Sequence, residues 1–293
     1  MISYPNVKIN LGLNILSKRD DGFHNIETVF IPFHRIYDRL EIILGEDYSR
    51  ISSELFEKYS QPQQVVQAMS EDGKLFITIA REEGIDWNPL NDLCAKAYYL
   101  LDKDFVLPPV KIFLEKLSPI GAGLGGGSSD AAFALKMLSD LCDLNLSQEQ
   151  LVSYASKLGS DCAFFIYNRP MLGQGRGEIL SEIEFNNVDY GQKGGENSSY
   201  KLEIVSPKGI SVSTADAYAG VSPAIPEKRI EEILVLPLKE WQTYLYNDFE
   251  KSVFKKYTEL KNIKASLYLK GAIYAAMSGS GSSLFFISDA TNN

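Results

Sequence analysis

The residues best suited to chemistry in this chain gather in a glycine-rich stretch between Pro119 and Ala132. Five glycines fall within the seven positions 121–127, and Ser128 and Ser129 follow them. Because glycine loses more conformational freedom on folding than any other residue, such a cluster marks a place where main chain approaches a ligand closely. Apolar residues then recur at helical spacing, which predicts a helix with Ser128 or Ser129 as its N-cap. Free amides and the positive end of the helix dipole would face the glycines, and this combination binds phosphate.

Other interpretations of this loop exist. Gly121-x-Gly123-x-x-Gly126 also satisfies the dinucleotide-binding fingerprint, and it follows an alternating segment, 110–114, that is a predicted strand. A Rossmann unit would run directly from strand into glycine turn, whereas three residues, 117–119, intervene here. A Walker A loop does not fit, since no lysine follows the last glycine. A flexible linker is the structural alternative, but linkers seldom lie between a strand and a capped helix.

The opening segment of the chain is a predicted strand that carries Lys8, a candidate cation for the phosphate site. Hydrophobic residues occupy the odd positions from Val7 to Ile15, and polar residues or glycine occupy the even ones, which predicts a half-buried strand. Lys8 and Asn10 therefore point the same way, about 6.5 Å apart. Together they could touch one small ligand, although the spacing alone is more typical of an ordinary solvent-exposed face.

Three further turns position candidate residues. An Asp-Gly turn between two predicted strands presents Phe23 and His24, which on their own would be ordinary hairpin packing. A capping box over 147–150 opens a helix that ends at 159, directly ahead of Asp161, which alone would be taken for a helix N-cap. A Gly/Ser turn at 278–283 lies between two apolar segments, as a simple hairpin would.

The glycine cluster 173–178 marks the passage into a second domain.

Composition limits the partners. The 293 residues are 45% hydrophobic and can build a core, which we divide into domains 1–169 and 170–293. A formal net charge of −9 argues against nucleic acid or an anionic membrane as partner, so any phosphate site must be local. The three widely spaced cysteines predict reduced core thiols. Without a membrane-span-like run or signal peptide, we expect a cytoplasmic protein.

The loop Pro-x-Gly-x-Gly-Leu-Gly-Gly-Gly-Ser-Ser-x-Ala-Ala resembles the ATP loop of the GHMP kinase superfamily, and the likeness covers most of the chain. With its opening segment, Val-Lys-Ile-Asn-Leu-Gly-Leu, the chain is most similar to the branch that phosphorylates 4-diphosphocytidyl-2-C-methyl-D-erythritol on its 2-hydroxyl in non-mevalonate isoprenoid synthesis. The resemblance implies an α+β GHMP-kinase fold, with an N-terminal domain like ribosomal protein S5 domain 2 and a ferredoxin-like C-terminal domain, here expected in abbreviated form.

The resemblance also implies roles for residues. ATP would be held by Pro119, Gly121, Ala122, Gly123, Leu124, Gly125, Gly126, Gly127, Ser128 and Ser129. Lys8 would lie beside the reacting hydroxyl, and Asp161, in a segment similar to the family's Gly-Ala-Asp-Val-Pro-Phe-Phe but with Ala163 for proline, would be the base. The substrate, placed between the domains, would be bound by Asn10, Phe23, His24, Tyr218, Gly279 and Ser280, with Phe23 and Tyr218 stacking on cytosine.

Cofactor and partner expectations complete the prediction. Mg²⁺ would bridge the ATP phosphates, with Ser129 a candidate ligand and no carboxylate assigned. The partner would be a small-molecule cytidylyl alcohol, with no nucleic acid or membrane, and the protein would be a monomer or homodimer. A homoserine- or mevalonate-type kinase, a dehydrogenase and a non-catalytic nucleotide-binding protein remain as alternatives.

Overall fold

The computed structural model of the chain describes residues 1–291. Its strands are β1 (Ile2–Ser3), β2 (Asn6–Lys18), β3 (His24–Tyr37), β4 (Arg39–Leu44), β5 (Val65–Met69), β6 (Leu75–Arg81), β7 (Val110–Lys116), β8 (Met171–Gly175), β9 (Ile179–Glu182), β10 (Val188–Asp189), β11 (Tyr200–Val205), β12 (Tyr274–Met277) and β13 (Leu284–Asp289). Its α-helices are α1 (Ser52–Lys58), α2 (Leu93–Phe105), α3 (Gly126–Leu141), α4 (Gln148–Leu158), α5 (Cys162–Tyr167), α6 (Thr214–Ala219), α7 (Ile230–Leu234), α8 (Trp241–Tyr244), α9 (Glu250–Lys256) and α10 (Thr258–Leu269).

The described residues divide into two compact units, each built from three separate stretches of chain. Unit 1 comprises Met1–Val7, Ile36–Ser118 and Gly126–Asn168; unit 2 comprises Lys8–Arg35, Pro119–Gly125 and the described residues from Arg169 onward. The domain boundary between 169 and 170 stays a prediction.

Unit 1 is a five-stranded sheet with helices α1 to α5. The strand order is β1-β4-β7-β6-β5, with β6 and β7 parallel and the other pairs antiparallel. The strand predicted over 110–114 is confirmed as the central strand β7. Val110, Ile112 and Leu114 on one face and Phe113 on the other are buried, which is typical of a strand covered on both faces. The end of β7 leads directly toward the glycine loop.

Unit 2 contains two four-stranded sheets, ordered β2-β3-β8-β9 and β10-β11-β13-β12. The first contains the predicted opening strand and Asp-Gly hairpin. The expectation that β2 is half-buried was wrong: Lys8, Asn10 and Asn14 are buried, as are the apolar residues that alternate with them. The physical reason is that the polar face of β2 meets hydrogen-bonding groups rather than water, as the site shows.

The helix ahead of Asp161 forms as predicted. Ser147 and Gln150 make both hydrogen bonds of a capping box, and α4 ends at Gly159. Among residues 1–291 no helix is long and apolar enough to cross a membrane.

Candidate functional site

The glycine loop is held so closely that side chains would not fit. A Cβ on Gly123, whose φ is +78°, would lie 2.1 Å from the carbonyl oxygen of Ser278, and one on Gly126 would lie 2.5 Å from the Ser118 hydroxyl. Gly121, with φ of +66°, has nothing within 4 Å of the same position. Glycine is therefore required at Gly123 and Gly126 by packing, whereas Gly121 opens to space that a ligand can enter.

A serine N-cap at 128 or 129 predicts a helix that begins at 129 or 130, whereas α3 begins at Gly126, three or four residues earlier. Ser128 and Ser129 therefore lie in its first turn, and the N-cap assignment was wrong. Glycines at 126 and 127 leave the first-turn amides uncovered, which lets the helix start inside the loop. The first four amides of an α-helix have no partner within the helix. This end of α3 therefore offers N–H groups and a positive dipole end to an anion.

Lys8 and Asn10 form one buried cluster with the loop. The Lys8 ammonium donates to Asn10 Oδ1 at 2.5 Å and to the Gly123 carbonyl at 3.1 Å. Asn10 Nδ2 donates to Thr28 Oγ1 at 3.1 Å, and the Asn10 amide donates to Ser278 Oγ at 3.1 Å. The prediction that Lys8 and Asn10 share a face is confirmed, and the ammonium lies against the glycine loop.

The Gly/Ser turn between β12 and β13 is the support of this cluster. Ser278 Oγ also donates to the Gly123 carbonyl, and the amide of Ser283 donates to the Ala122 carbonyl. A buried side chain that the sequence did not single out, Asn247, donates to the carbonyls of Met277 and Gly279. Ser280 Oγ lies 3.3 Å from Thr214 Oγ1 at the start of α6. The turn thus fixes the loop backbone beside Lys8.

A second buried cluster joins the two ends of the glycine loop within unit 1. The Lys116 ammonium contacts the carboxylates of Asp38 and Asp130, and these three side chains are almost fully buried. Asp38 also accepts hydrogen bonds from the amides of Leu117 and Ser118. Burial opposes the charge on Lys116, but the two carboxylates outweigh it and raise its pKa, whereas burial raises the pKa of Asp130.

Two polar atoms of α3 lack partners. Ser129 Oγ and Asp130 Oδ1 are buried and make no hydrogen bond to any residue of the described chain. An unpaired buried hydroxyl costs free energy unless a ligand or water satisfies it. Across residues 1–291 no group of three or more His, Cys, Asp or Glu side chains could hold a metal. A metal here would thus need oxygen atoms from its ligand as well as from the protein.

Asp161 occupies the N-cap position of α5, but its side chain makes no capping hydrogen bond. The alternative that Asp161 serves only to cap this helix is therefore wrong. The thiol of the next residue, Cys162, is buried, and burial raises its pKa to about 11. A Cβ placed on Gly159 would lie 3.3 Å from Cys162 Sγ and 3.9 Å from Ser128 Oγ. The segment that carries Asp161 therefore packs beside Ser128 in the first turn of α3.

The aromatic residues predicted to bind a base lie at the tip of the β2–β3 hairpin and on α6. The rings of His24 and Tyr218 stack with centroids 4.8 Å apart and planes 20° apart, and Tyr218 meets Phe249 edge-on. Phe23 is 54% exposed. The structure therefore brings Tyr218 onto His24, the neighbour of Phe23, and leaves a large aromatic surface at the tip.

Sequence reasoning found some of these residues and missed others. It grouped Lys8 with Asn10 correctly, but Thr28, Asn247 and Lys116 carried no pattern that marked them. Thr28 is fully buried in β3, but this burial follows from the fold and could not be recognised in the sequence. Lys8 and Asp161 belong to different units, and their joint action stays a prediction.

Comparison with known proteins agrees with this geometry. A model of the GHMP kinase N-terminal domain matches residues 92–169, and one of the GHMP kinase C-terminal domain matches residues 223–292. A 4-diphosphocytidyl-2-C-methyl-D-erythritol kinase from Bacteroides fragilis is 46% identical over 97% of this chain and 91% of its own length. Another of the same name, from Cytophaga hutchinsonii, is 43% identical over 98% of this chain and 92% of its own.

Solved structures show the same relationship. A crystal structure of 4-(cytidine 5'-diphospho)-2C-methyl-D-erythritol kinase superposes with a TM-score of 0.70 at 27% identity, covering 98% of this chain and 89% of that one. A homoserine kinase from Cytophaga hutchinsonii has a TM-score of 0.59 at 13% identity, covering 98% of this chain and 86% of that one, and shares the fold. The predicted α+β fold is confirmed, and the chain belongs to the GHMP kinase family.

Proposed function

We propose that this chain transfers the γ-phosphoryl group of ATP to the 2-hydroxyl of 4-diphosphocytidyl-2-C-methyl-D-erythritol. The observation that carries the proposal is that each predicted catalytic segment contacts either the glycine loop or the helix that the loop opens. Lys8 is held by its hydrogen bond to the Gly123 carbonyl, and the segment that carries Asp161 packs beside Ser128. The names of relatives at 40–46% identity supply the acceptor.

The phosphates of ATP are bound by backbone rather than by a loop lysine. The amides at the start of α3 and the open side of Gly121 face the anion. Mg²⁺ fits the donors present, since Ser129 Oγ is a buried hard oxygen without a partner in the described chain, and Mg²⁺ often takes one or two protein oxygens with phosphates and water. Bound there, the ion would neutralise charge on the phosphates.

The transfer itself asks for positioning and charge neutralisation. Phosphoryl transfer passes through a loose, highly charged transition state, so little covalent chemistry falls to the protein. The oxygen of the acceptor hydroxyl attacks the γ-phosphorus, and ADP leaves. Asp161 accepts the proton that this hydroxyl loses. Lys8, held by Asn10 and Gly123, orients that hydroxyl and offsets charge on the γ-phosphate.

The cytidine end of the acceptor binds at the hairpin tip. Phe23 offers an exposed ring face, and His24 offers a donor or acceptor to the edge of the base. Tyr218, stacked on His24, holds that imidazole and supplies a second aromatic surface.

The test is ADP release with this acceptor beside homoserine and mevalonate. We expect turnover with the cytidylyl alcohol, and turnover of homoserine or mevalonate alone would overturn the acceptor assignment. Asp161→Asn should lower kcat by about 10²–10⁴-fold with the affinity for ATP little changed, because the base acts only in the chemical step. Asp140→Asn, on the exposed end of α3, is the matched control. An Asp161→Asn variant as active as the control would end the base assignment.

A further inference from the structure

An arginine with no assigned role covers the exposed aromatic ring at the hairpin tip. The guanidinium carbon of Arg176 lies 5.1 Å from the centroid of the Phe23 ring. Arg176 belongs to the turn between β8 and β9, and the pairing of Ile26 with Gly175 brings this turn beside the hairpin. The glycine cluster that the sequence suggested as a domain passage therefore delivers a cation to the proposed base-binding surface.

The turn is built to place Arg176. A Cβ on Gly173 would lie 2.4 Å from the Phe30 ring, and Gly177 has φ of +108° with its Cβ position 3.4 Å from the same ring. The Arg176 amide donates to Glu178 Oε2 at 2.5 Å, and its Nε lies 3.5 Å from Glu178 Oε1. Backbone geometry and Glu178 thus fix where the arginine side chain leaves the turn.

The backbone of Phe23 is tied to the same charges. Its amide donates to Asp21 Oδ1 at 3.1 Å, and Arg19 Nε lies 3.0 Å from the other oxygen of Asp21. The hydrogen bond from the Phe23 amide, the neighbouring Arg19 and, to a smaller extent, the charge of Arg176 lower the pKa of the Asp21 carboxyl.

We propose that Arg176 is a positioning residue for the acceptor: its guanidinium holds one face of the Phe23 ring, so that the opposite face receives the pyrimidine base. This deepens the proposed function and rests on it. A cation over an aromatic face is attracted by the ring quadrupole, and a ring held from one side loses less freedom when a base stacks on the other. Arg176 thereby sets affinity for the cytidylyl substrate without touching the reacting atoms.

The experiment compares Arg176→Ala, Arg176→Lys and Phe23→Ala in the full chain. Arg176→Ala should raise KM for the cytidylyl acceptor about 2–5-fold, with kcat and KM for ATP unchanged, and Arg176→Lys should restore part of the loss. In the Phe23→Ala background, Arg176→Ala should have no further effect, because the ring through which it acts is gone. Arg169→Ala is the matched control, since Arg169 is an exposed arginine paired with Glu182 near the other end of the same hairpin.

If the role of Arg176 were purely structural, Arg176→Ala would change the melting temperature but would not raise the KM for the acceptor while leaving the KM for ATP unchanged. An unchanged acceptor KM, or an effect that persists in full without Phe23, would overturn the inference. Titration with CDP under a saturating non-hydrolysable ATP analogue reads the base site without turnover. The protein could bind CDP through Phe23 and Arg176 and yet fail to phosphorylate the acceptor. That result would refute the proposed function and leave this inference standing. Turnover that is indifferent to Arg176 refutes this inference alone.

Discussion

Replacing Lys116 by methionine should destabilise the protein measurably. Its ammonium is the cationic partner of two carboxylates, on Asp38 and Asp130, whose side chains are 0% and 1% exposed. Removing one partner of a buried ion pair costs about 3–5 kcal/mol, because a charge is left without compensation. Asp130, whose pKa burial already raises, can take up a proton, and Asp38 keeps its backbone hydrogen bonds, so we expect the low end, about 3 kcal/mol.

The assay is thermal unfolding. An unfolding entropy of about 2.1 cal/mol/K per residue gives roughly 0.6 kcal/mol/K for a chain of this length, so about 3 kcal/mol lowers Tm by about 5 °C. The deficit should narrow from pH 8 to pH 5, because the stranded carboxyls bind protons more readily in the folded variant than in the unfolded chain. Lys58→Met, which removes a half-exposed partner of Glu115, should change Tm little. An unchanged Tm for Lys116→Met at pH 8, or a gap that does not depend on pH, would refute the reasoning.

Two further predictions concern helix α3. Burial lowers the pKa of Lys136 from 10.5 to about 8, so the folded chain binds fewer protons than the unfolded chain between these values and gains stability as pH rises through them. The free energy of unfolding, measured with urea, should therefore rise between pH 7 and 10.5 by up to about 3 kcal/mol more for the wild type than for Lys136→Met. If the free energy of unfolding depends on pH in the same way for both proteins, the prediction is wrong. Ser129→Ala should melt no lower than the wild type, since its hydroxyl has no partner in the described chain, yet should raise the Mg²⁺ concentration needed for half-maximal activity. An unchanged Mg²⁺ requirement would remove Ser129 as a ligand.

Local patterns predicted what depends on neighbouring residues. The period of two in β2 placed Lys8 and Asn10 on one face, and they hydrogen-bond. The capping box and Gly159 bounded α4 correctly, because both signals act within one turn of helix. Even the error at the start of α3 is local, since glycines at 126 and 127 were not expected to be helical.

Distant pairings were out of reach. Asn10 bonds Ser278, 268 residues away, and Lys116 bonds Asp38, 78 residues away. Nothing in one sequence says which buried polar residue will meet which, because the partners are chosen by the tertiary fold. For the same reason β2 looked half-solvated. Its polar face is buried because the glycine loop, the turn after β12 and polar residues of β3 cover it.

The order of strands has a consequence for how the chain folds. Strand β3 pairs with β8, with Ile26 opposite Gly175, so this pairing cannot form until β8 has been synthesised. Strand β13 lies between β11 and β12 in the sheet, although it is synthesised last of the three. Pairings so far apart in sequence have a large loop-closure entropy, so collapse of unit 2 should be slow. Until Leu284 to Asp289 have emerged from the ribosome, β11 and β12 each present an unpaired edge. Nascent chains stalled before residue 284 should therefore aggregate and recruit chaperones, whereas unit 1, whose chain ends at Asn168, can form earlier.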